Sequence, residues 1–188
     1  MIARYLYKIQ KRLGLVKTYL SETDKVRHIV LPYCIGYGCD VGFGGDKIKK
    51  DAVGIDLPNP YAQTGSDAVD IPCDVINEEI PIADNTFDYV YSSHLIEDLP
   101  NTVEGLNKFI RILKPGGVLI LVFPDQQLYE KICKKTGQPL NEYHKHSDMG
   151  LSFMKNKLNA AQLKKYEILK ESNCEIDYNV VLVIKIFK

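Results

Sequence analysis

The chain has 188 residues, 45% of them hydrophobic and 26% charged, with 24 basic residues against 24 acidic ones. That length suits one domain with a sizeable core, and the balanced charge lacks the basic footprint of a nucleic-acid binder. Cys34, Cys39, Cys73, Cys133 and Cys174 are scattered without a CxxC pair, which argues against a disulfide framework or a zinc site and fits a reducing cytoplasm.

The first 20 residues, MIARYLYKIQKRLGLVKTYL, place Arg4, Lys8, Lys11 and Arg12 among their apolar positions, so they form neither a signal-peptide core nor a membrane span. Ile2, Leu6, Ile9 and Leu13 recur at helical spacing and predict an amphipathic helix packed on the domain, with a membrane-surface or partner helix as the alternative. A short apolar segment then ends in YGCDVG, AVGIDL (52–57) forms a second and FDYVYSS (87–93) a third, each read as a strand. Only about ten residues separate the first two, near the minimum for a parallel crossover, so the helix between them must be short. In NTVEGLNKFIRILKPGG, Leu106, Phe109, Ile110 and Leu113 share one helical face, and Pro115 with the glycine pair stops the helix. GGVLILVFP (116–124) is the near-continuous apolar run of a strand buried on both faces. CKKTGQPLNEYHKHSDMG (133–150) is the least regular stretch, the kind of loop that holds substrate. NVVLVIKIFK (179–188) closes the chain as an added strand. Strands alternating with helices predict a single α/β domain with a doubly wound, mainly parallel sheet. Residues 1–30 would be its N-terminal helical segment, 33–128 a cofactor-binding core, and 129–188 a substrate loop with C-terminal strands.

The stretch CDVGFGGD lets a ligand approach open backbone, as nucleotide-like cofactors require. A dinucleotide GxGxxG would need glycine at position 47, where Lys47 stands, and Asp46 would repel a pyrophosphate at the helix start. The Walker loop fails too, since no GKS or GKT follows. S-adenosylmethionine carries no phosphate and bears a sulfonium and an ammonium, so a loop flanked by acids suits it. Asp40 could receive the ammonium. Asp56, at the end of the second strand, could accept the ribose hydroxyls, and Asp74 the adenine amino group. Each acid alone could equally be a helix cap or a turn residue.

In their order along the chain, CDVGFGGD, VGIDL, IADNTFDYVYSSHLIEDLPN and FIRILKPGGVLILVFP resemble the class I S-adenosylmethionine-dependent methyltransferases over roughly residues 33–128. With PDQQ, TGQPLN and HKHSD they resemble more narrowly the methyltransferase type 11 group, in a bacterial branch sometimes associated with surface-polysaccharide genes. The resemblance implies a Rossmann-like methyltransferase fold and S-adenosylmethionine as cofactor. It implies contacts to that cofactor from Asp40, Gly42, Phe43, Gly44, Gly45, Asp56, Leu57, Asp74, Val75, Ser92 and Ser93. The displaced third glycine, with Gly45 and Asp46 closing the motif, departs from the family pattern.

Methyl transfer is an in-line displacement, so the protein mainly aligns a nucleophile and excludes water, and a hydroxyl acceptor also needs a base. His94, at the rim after FDYVYSS, is the first candidate for that base or for a substrate contact, with a structural hydrogen bond as the alternative. Glu97 and Asp98 read as caps or solvent-facing charges. His144 in the irregular loop and Asp125 just past GGVLILVFP complete the candidate catalytic set, and Gln126 and Gln127 suit a polyhydroxylated substrate. His144, His146 and Asp148 raise a metal question that their spacing answers weakly, and no metal is expected. The expected activity is an O-directed methyltransferase acting on a small or glycan-linked acceptor. The alternatives are N- or C-methylation and a catalytically degenerate binding module. No nucleic-acid partner is expected, the location is expected to be cytoplasmic, and a homodimer stays open.

Overall fold

The computed structural model describes residues 21–188; the amphipathic helix expected across Ile2–Leu13 lies outside the described residues. Helix α1 (Glu22–Val30) starts at Ser21, whose hydroxyl accepts from the Asp24 N–H at 2.9 Å, and it buries Val26 and Val30. Five strands follow, β1 (Gly38–Val41), β2 (Val53–Asp56), β3 (Ile71–Pro72), β4 (Phe87–Ser93) and β5 (Leu113–Pro124), with α2 (Thr102–Ile112) between the last two. Then come α3 (Gln126–Thr136), α4 (Leu151–Asn159), β6 (Lys165–Ser172) and β7 (Asn179–Phe187).

The sheet order is β3-β2-β1-β4-β5-β7-β6. β1 to β5 pair in parallel, and β7 runs antiparallel to both β5 and β6. This is the expected doubly wound, mainly parallel architecture, with a C-terminal hairpin added at one edge. The apolar runs are nearly continuous because both faces are covered. On one face Val90, Leu119, Leu121, Phe123, Leu182 and Ile184 pack with Leu106 and Phe109 of α2 and with Met154 and Leu158 of α4. On the other, Tyr89, Tyr91, Ile120, Val122, Val181 and Val183 pack with Val26 and Val30.

Three local expectations are corrected. Residues 42–52 form turns and no α-helix, because three glycines with positive φ open the segment and the Asp40 carboxylate takes the Ile48 N–H at 2.6 Å, folding the chain back. Helix α2 stops at Ile112, and Leu113 already belongs to β5, whose register against β4 shifts between Phe87 and Tyr89 to absorb the LKPGG segment. Helix α3 carries regular structure to Thr136, into the stretch from Cys133 that was read from sequence as irregular.

Phe109 is fully buried between α2 and the sheet. Phe109→Ala should therefore cost about 3–5 kcal/mol, read as a lower urea midpoint with unchanged m; a loss under 1 kcal/mol would contradict the packing described.

Candidate active site

In an open α/β sheet the ligand crevice lies outside the C-terminal ends of the strands, where the strand order reverses. Here that point lies between β1 and β4. The walls are the segment after β1 (Gly42–Gly45), Asp56 at the end of β2, and Ser92–Asp98 at the end of β4. Gly44 and Gly45 have φ of 55° and 82°, and a Cβ on them would lie 2.4 Å from the Ala62 carbonyl and 2.6 Å from that of Gly65. Their openness is thus used by the chain itself. The segment between β2 and β3 straps across the loop, with Thr64 N–H on the Gly44 carbonyl at 2.7 Å and Asp67 N–H on that of Gly45 at 2.8 Å. Farther over, the Tyr61 hydroxyl donates to Asp98, and the Tyr61 ring stacks on Tyr143 at 4.4 Å.

Asp40 is fully buried; one oxygen takes the Ile48 N–H and the other has no hydrogen-bond partner. Burial pushes its carboxyl well above the usual range, and the Ile48 N–H offsets only part of this. A ligand ammonium would restore the ionised form. Asp56 holds the loop, its two oxygens accepting from Gly44 N–H and Leu57 N–H at 2.8 Å each. Each oxygen keeps a second lone pair for a ribose hydroxyl. These two acids fit the cofactor that the sequence suggests.

The other predicted cofactor residues are occupied locally. Asp74 caps a turn through Ile76 N–H at 3.1 Å and Asn77 Nδ2 at 2.8 Å. Phe43 is buried against Gly54. Val75 is buried in the core, its carbonyl accepting from Lys108 Nζ at 3.0 Å. Ser92 stitches β4 to β1 through the Val41 carbonyl at 2.9 Å, whereas the buried Ser93 hydroxyl has no partner.

Beside the crevice, His94 and His144 converge on Glu97. His94, at a left-handed φ of 53°, sets Nδ1 3.0 Å from Glu97 Oε1 and Nε2 2.6 Å from Asn179 Oδ1. The Asn179 amide nitrogen donates to Glu22 at 2.9 Å, so its carbonyl must face His94. Nε2 therefore donates to Asn179, while Nδ1 meets Glu97 Oε1 as a close charge contact without hydrogen-bond alignment. Burial alone would lower its pKa, but Glu97, Glu22 and the Asn179 hydrogen bond outweigh that and raise it to about 9. A ring held as a cation at neutral pH accepts no proton, which counts against His94 as a base and leaves a substrate contact open to it. His144 Nε2 lies 3.9 Å from the same Glu97 oxygen, and its Nδ1 is 2.8 Å from Gln126 Oε1. Burial moves the His144 pKa the opposite way, downward, with Glu97 offsetting part of the shift. Asp98 is raised to about 6, chiefly by burial.

Asp125, expected in the catalytic set, is the N-cap of α3, taking the Leu128 N–H at 2.9 Å. His146 turns away from His144 and lies 2.8 Å from the Leu99 carbonyl. Among the described residues no group of three or more His, Cys, Asp or Glu converges as metal ligands, and no helix is long and apolar enough to cross a membrane. Sequence reasoning missed Glu22, Asn179 and Tyr178. The one local signal was Asn179, a polar residue opening an apolar strand and fully buried. A cavity of about 390 Å³ among Asp84, Asn107, Arg111 and Lys188 lies at the far end of α2, away from this cluster.

Residues 37–121 match the family model described as a methyltransferase domain. The mitochondrial arginine-hydroxylase NDUFAF5 of Rattus norvegicus is 32% identical over 133 residues, covering 61% of this chain and 38% of that protein. The probable S-adenosylmethionine-dependent methyltransferase of Mycolicibacterium smegmatis is 28% identical over 148 residues, covering 74% of this chain and 51% of that one. The chain thus spans from about a third to about half the length of the curated relatives it matches. Among solved structures, a SAM-dependent methyltransferase from Thermotoga maritima aligns over 98% of this chain and 97% of its own, with a TM-score of 0.65 at 18% identity.

A His94 pKa raised from 6.5 to about 9 means that its pairing stabilises the fold fully below pH 6.5 and is lost as the pH rises through about 9. Urea unfolding of the wild type should show that decline, and His94→Gln should flatten it. An equal slope in both proteins would place the titrating group elsewhere.

Proposed function

We propose that this chain, whose residues 37–121 match a methyltransferase domain model, methylates a hydroxyl of a small or glycan-linked acceptor using S-adenosylmethionine. The cofactor supplies a methyl carbon activated by its sulfonium, which leaves the protein to align, desolvate and deprotonate. Asp56, at the end of β2, would hold the ribose, and Asp40, one residue before the end of β1, the ammonium.

The observation that carries the acceptor reading is a set of buried oxygens without hydrogen-bond partners in the segment that closes and follows β4: Ser93 Oγ, both Glu97 carboxylate oxygens and Asp98 Oδ1. Buried acceptors left unpaired are costly, and a polyhydroxylated molecule brings the donors they lack. Tyr61 and Tyr143, stacked and largely exposed next to Asp98, add flat apolar faces for its ring. His94, fixed as a cation between Glu97 and Glu22, would orient these acids and take no proton. A second reading, a binding module without turnover, draws support from the strap, because Ala62 and Gly65 already sit on the two glycines. Cytoplasmic location and a homodimer remain part of the proposal.

Calorimetry with S-adenosylhomocysteine, and with NAD⁺ as control, tests the cofactor. Wild type should bind the first only, and Asp56→Ala should weaken it by about 1–3 kcal/mol; equal affinity would remove Asp56 from the site. Transfer of labelled methyl to a panel of sugars separates the readings: label in product supports the enzyme, and binding without transfer to any acceptor supports the module.

A further inference from the structure

His144 is the base candidate whose protonation can be deduced from its neighbours. Helix α3 begins at Asp125, and Gln126 and Glu130 lie one helical turn apart on it. Gln126 is buried, at 6% exposure. Its Nε2 is 3.0 Å from Glu130 Oε1 and its Oε1 is 2.8 Å from His144 Nδ1. An ionised carboxylate only accepts, so the amide nitrogen must face Glu130 and the carbonyl oxygen must face the imidazole. The proton on neutral His144 is then on Nδ1. Nε2 is left with its lone pair, 3.9 Å from Glu97 Oε1, too far for a hydrogen bond. The ring is held in place by Tyr129, centroid to centroid 4.8 Å, and the loop that carries it is tied down by the Lys145 N–H on the Glu97 carbonyl at 2.9 Å.

We infer that Gln126, itself oriented by Glu130, is a positioning residue that fixes His144 in the Nδ1–H tautomer and so presents Nε2 as the proton acceptor for the substrate hydroxyl. The inference rests on the methyltransferase reading for its chemistry, not for its geometry. In the transfer, the hydroxyl proton passes to Nε2 as the oxygen's electron pair forms the bond to the methyl carbon, and the carbon–sulfur pair returns to sulfur. The imidazolium so formed would have its new N–H beside Glu97, whose charge stabilises it. His94 and His144 thus divide the work around one carboxylate: His94 is charged at neutral pH, and His144 is neutral and able to gain a proton.

The test is nitrogen-15 spectroscopy of the histidine rings in the full chain, at a pH where His144 is neutral. The wild type should show a protonated Nδ1 and a bare Nε2. Glu130→Ala frees the Gln126 amide to turn over and should move His144 toward the Nε2–H tautomer. Glu130→Gln, whose carbonyl still accepts, should restore the wild-type spectrum. Glu130 is exposed, so neither change disturbs the core. Affinity for S-adenosylhomocysteine should be the same in all three proteins, while turnover on an accepted substrate should fall in Glu130→Ala and return in Glu130→Gln. His144→Ala should lower that turnover by about 10²- to 10⁴-fold. An Nε2–H tautomer in the wild type, or a tautomer unmoved by Glu130→Ala, would overturn the inference. Absence of S-adenosylhomocysteine binding would instead defeat the methyltransferase reading and leave the tautomer result standing by itself.

Discussion

Glu97 is 1% exposed and faces two imidazoles, and the chemistry of the cluster turns on that shared charge. A buried carboxylate is costly unless a cation compensates it, and His94 does so at 3.0 Å. The compensation is reinforced from two distant parts of the chain. Glu22 on α1 and Asn179 at the start of β7 hold the other side of the His94 ring, and Tyr178 donates to Glu22 at 3.1 Å. With His94 charged, the second imidazole sits near a net-neutral pair, and burial can keep it neutral. The two histidines therefore differ because of what surrounds them.

The sheet makes this arrangement possible. β4 delivers Ser93, His94 and Glu97 to one end; β5 leads straight into α3 with Gln126 and Glu130; and β7 enters antiparallel with Asn179 opposite Pro124. The strap between β2 and β3 closes the same end from the other side, resting on Gly44 and Gly45 and reaching Asp98 through Tyr61. The glycine loop thus has a structural duty as well as a place in the crevice. Gly44 and Gly45 are needed for their positive φ and because the strap's carbonyls would collide with any side chain there.

The fold was legible because its signals are local. Apolar runs bounded by glycine and acid mark β1, β2, β4, β5 and β7, and the face formed by Leu106, Phe109 and Ile110 marks α2. Asp56 stood out because it closes a strand, and Asp40 because it lies one residue before the end of another. The rest was hidden by distance. Nothing near His94 in sequence announces Glu22 or Asn179, 72 and 85 positions away, and a protonation state depends on such partners. Asp74 and Asp125 show the reverse: both have the right residue type at the right strand end, yet their carboxylates are used by the neighbouring backbone. Gln126 was noticed for its amide, but its role needs Glu130 and His144 together.

The most direct test of the whole account is a crystal structure of the chain with S-adenosylhomocysteine. The ribose hydroxyls should lie within hydrogen-bond distance of Asp56, and the sulfur should face the side of the crevice holding His94, Glu97 and His144. A ligand bound elsewhere, or one whose sulfur points away from that cluster, would contradict the assignment of the β1–β4 crevice and its polar wall as the site of methyl transfer.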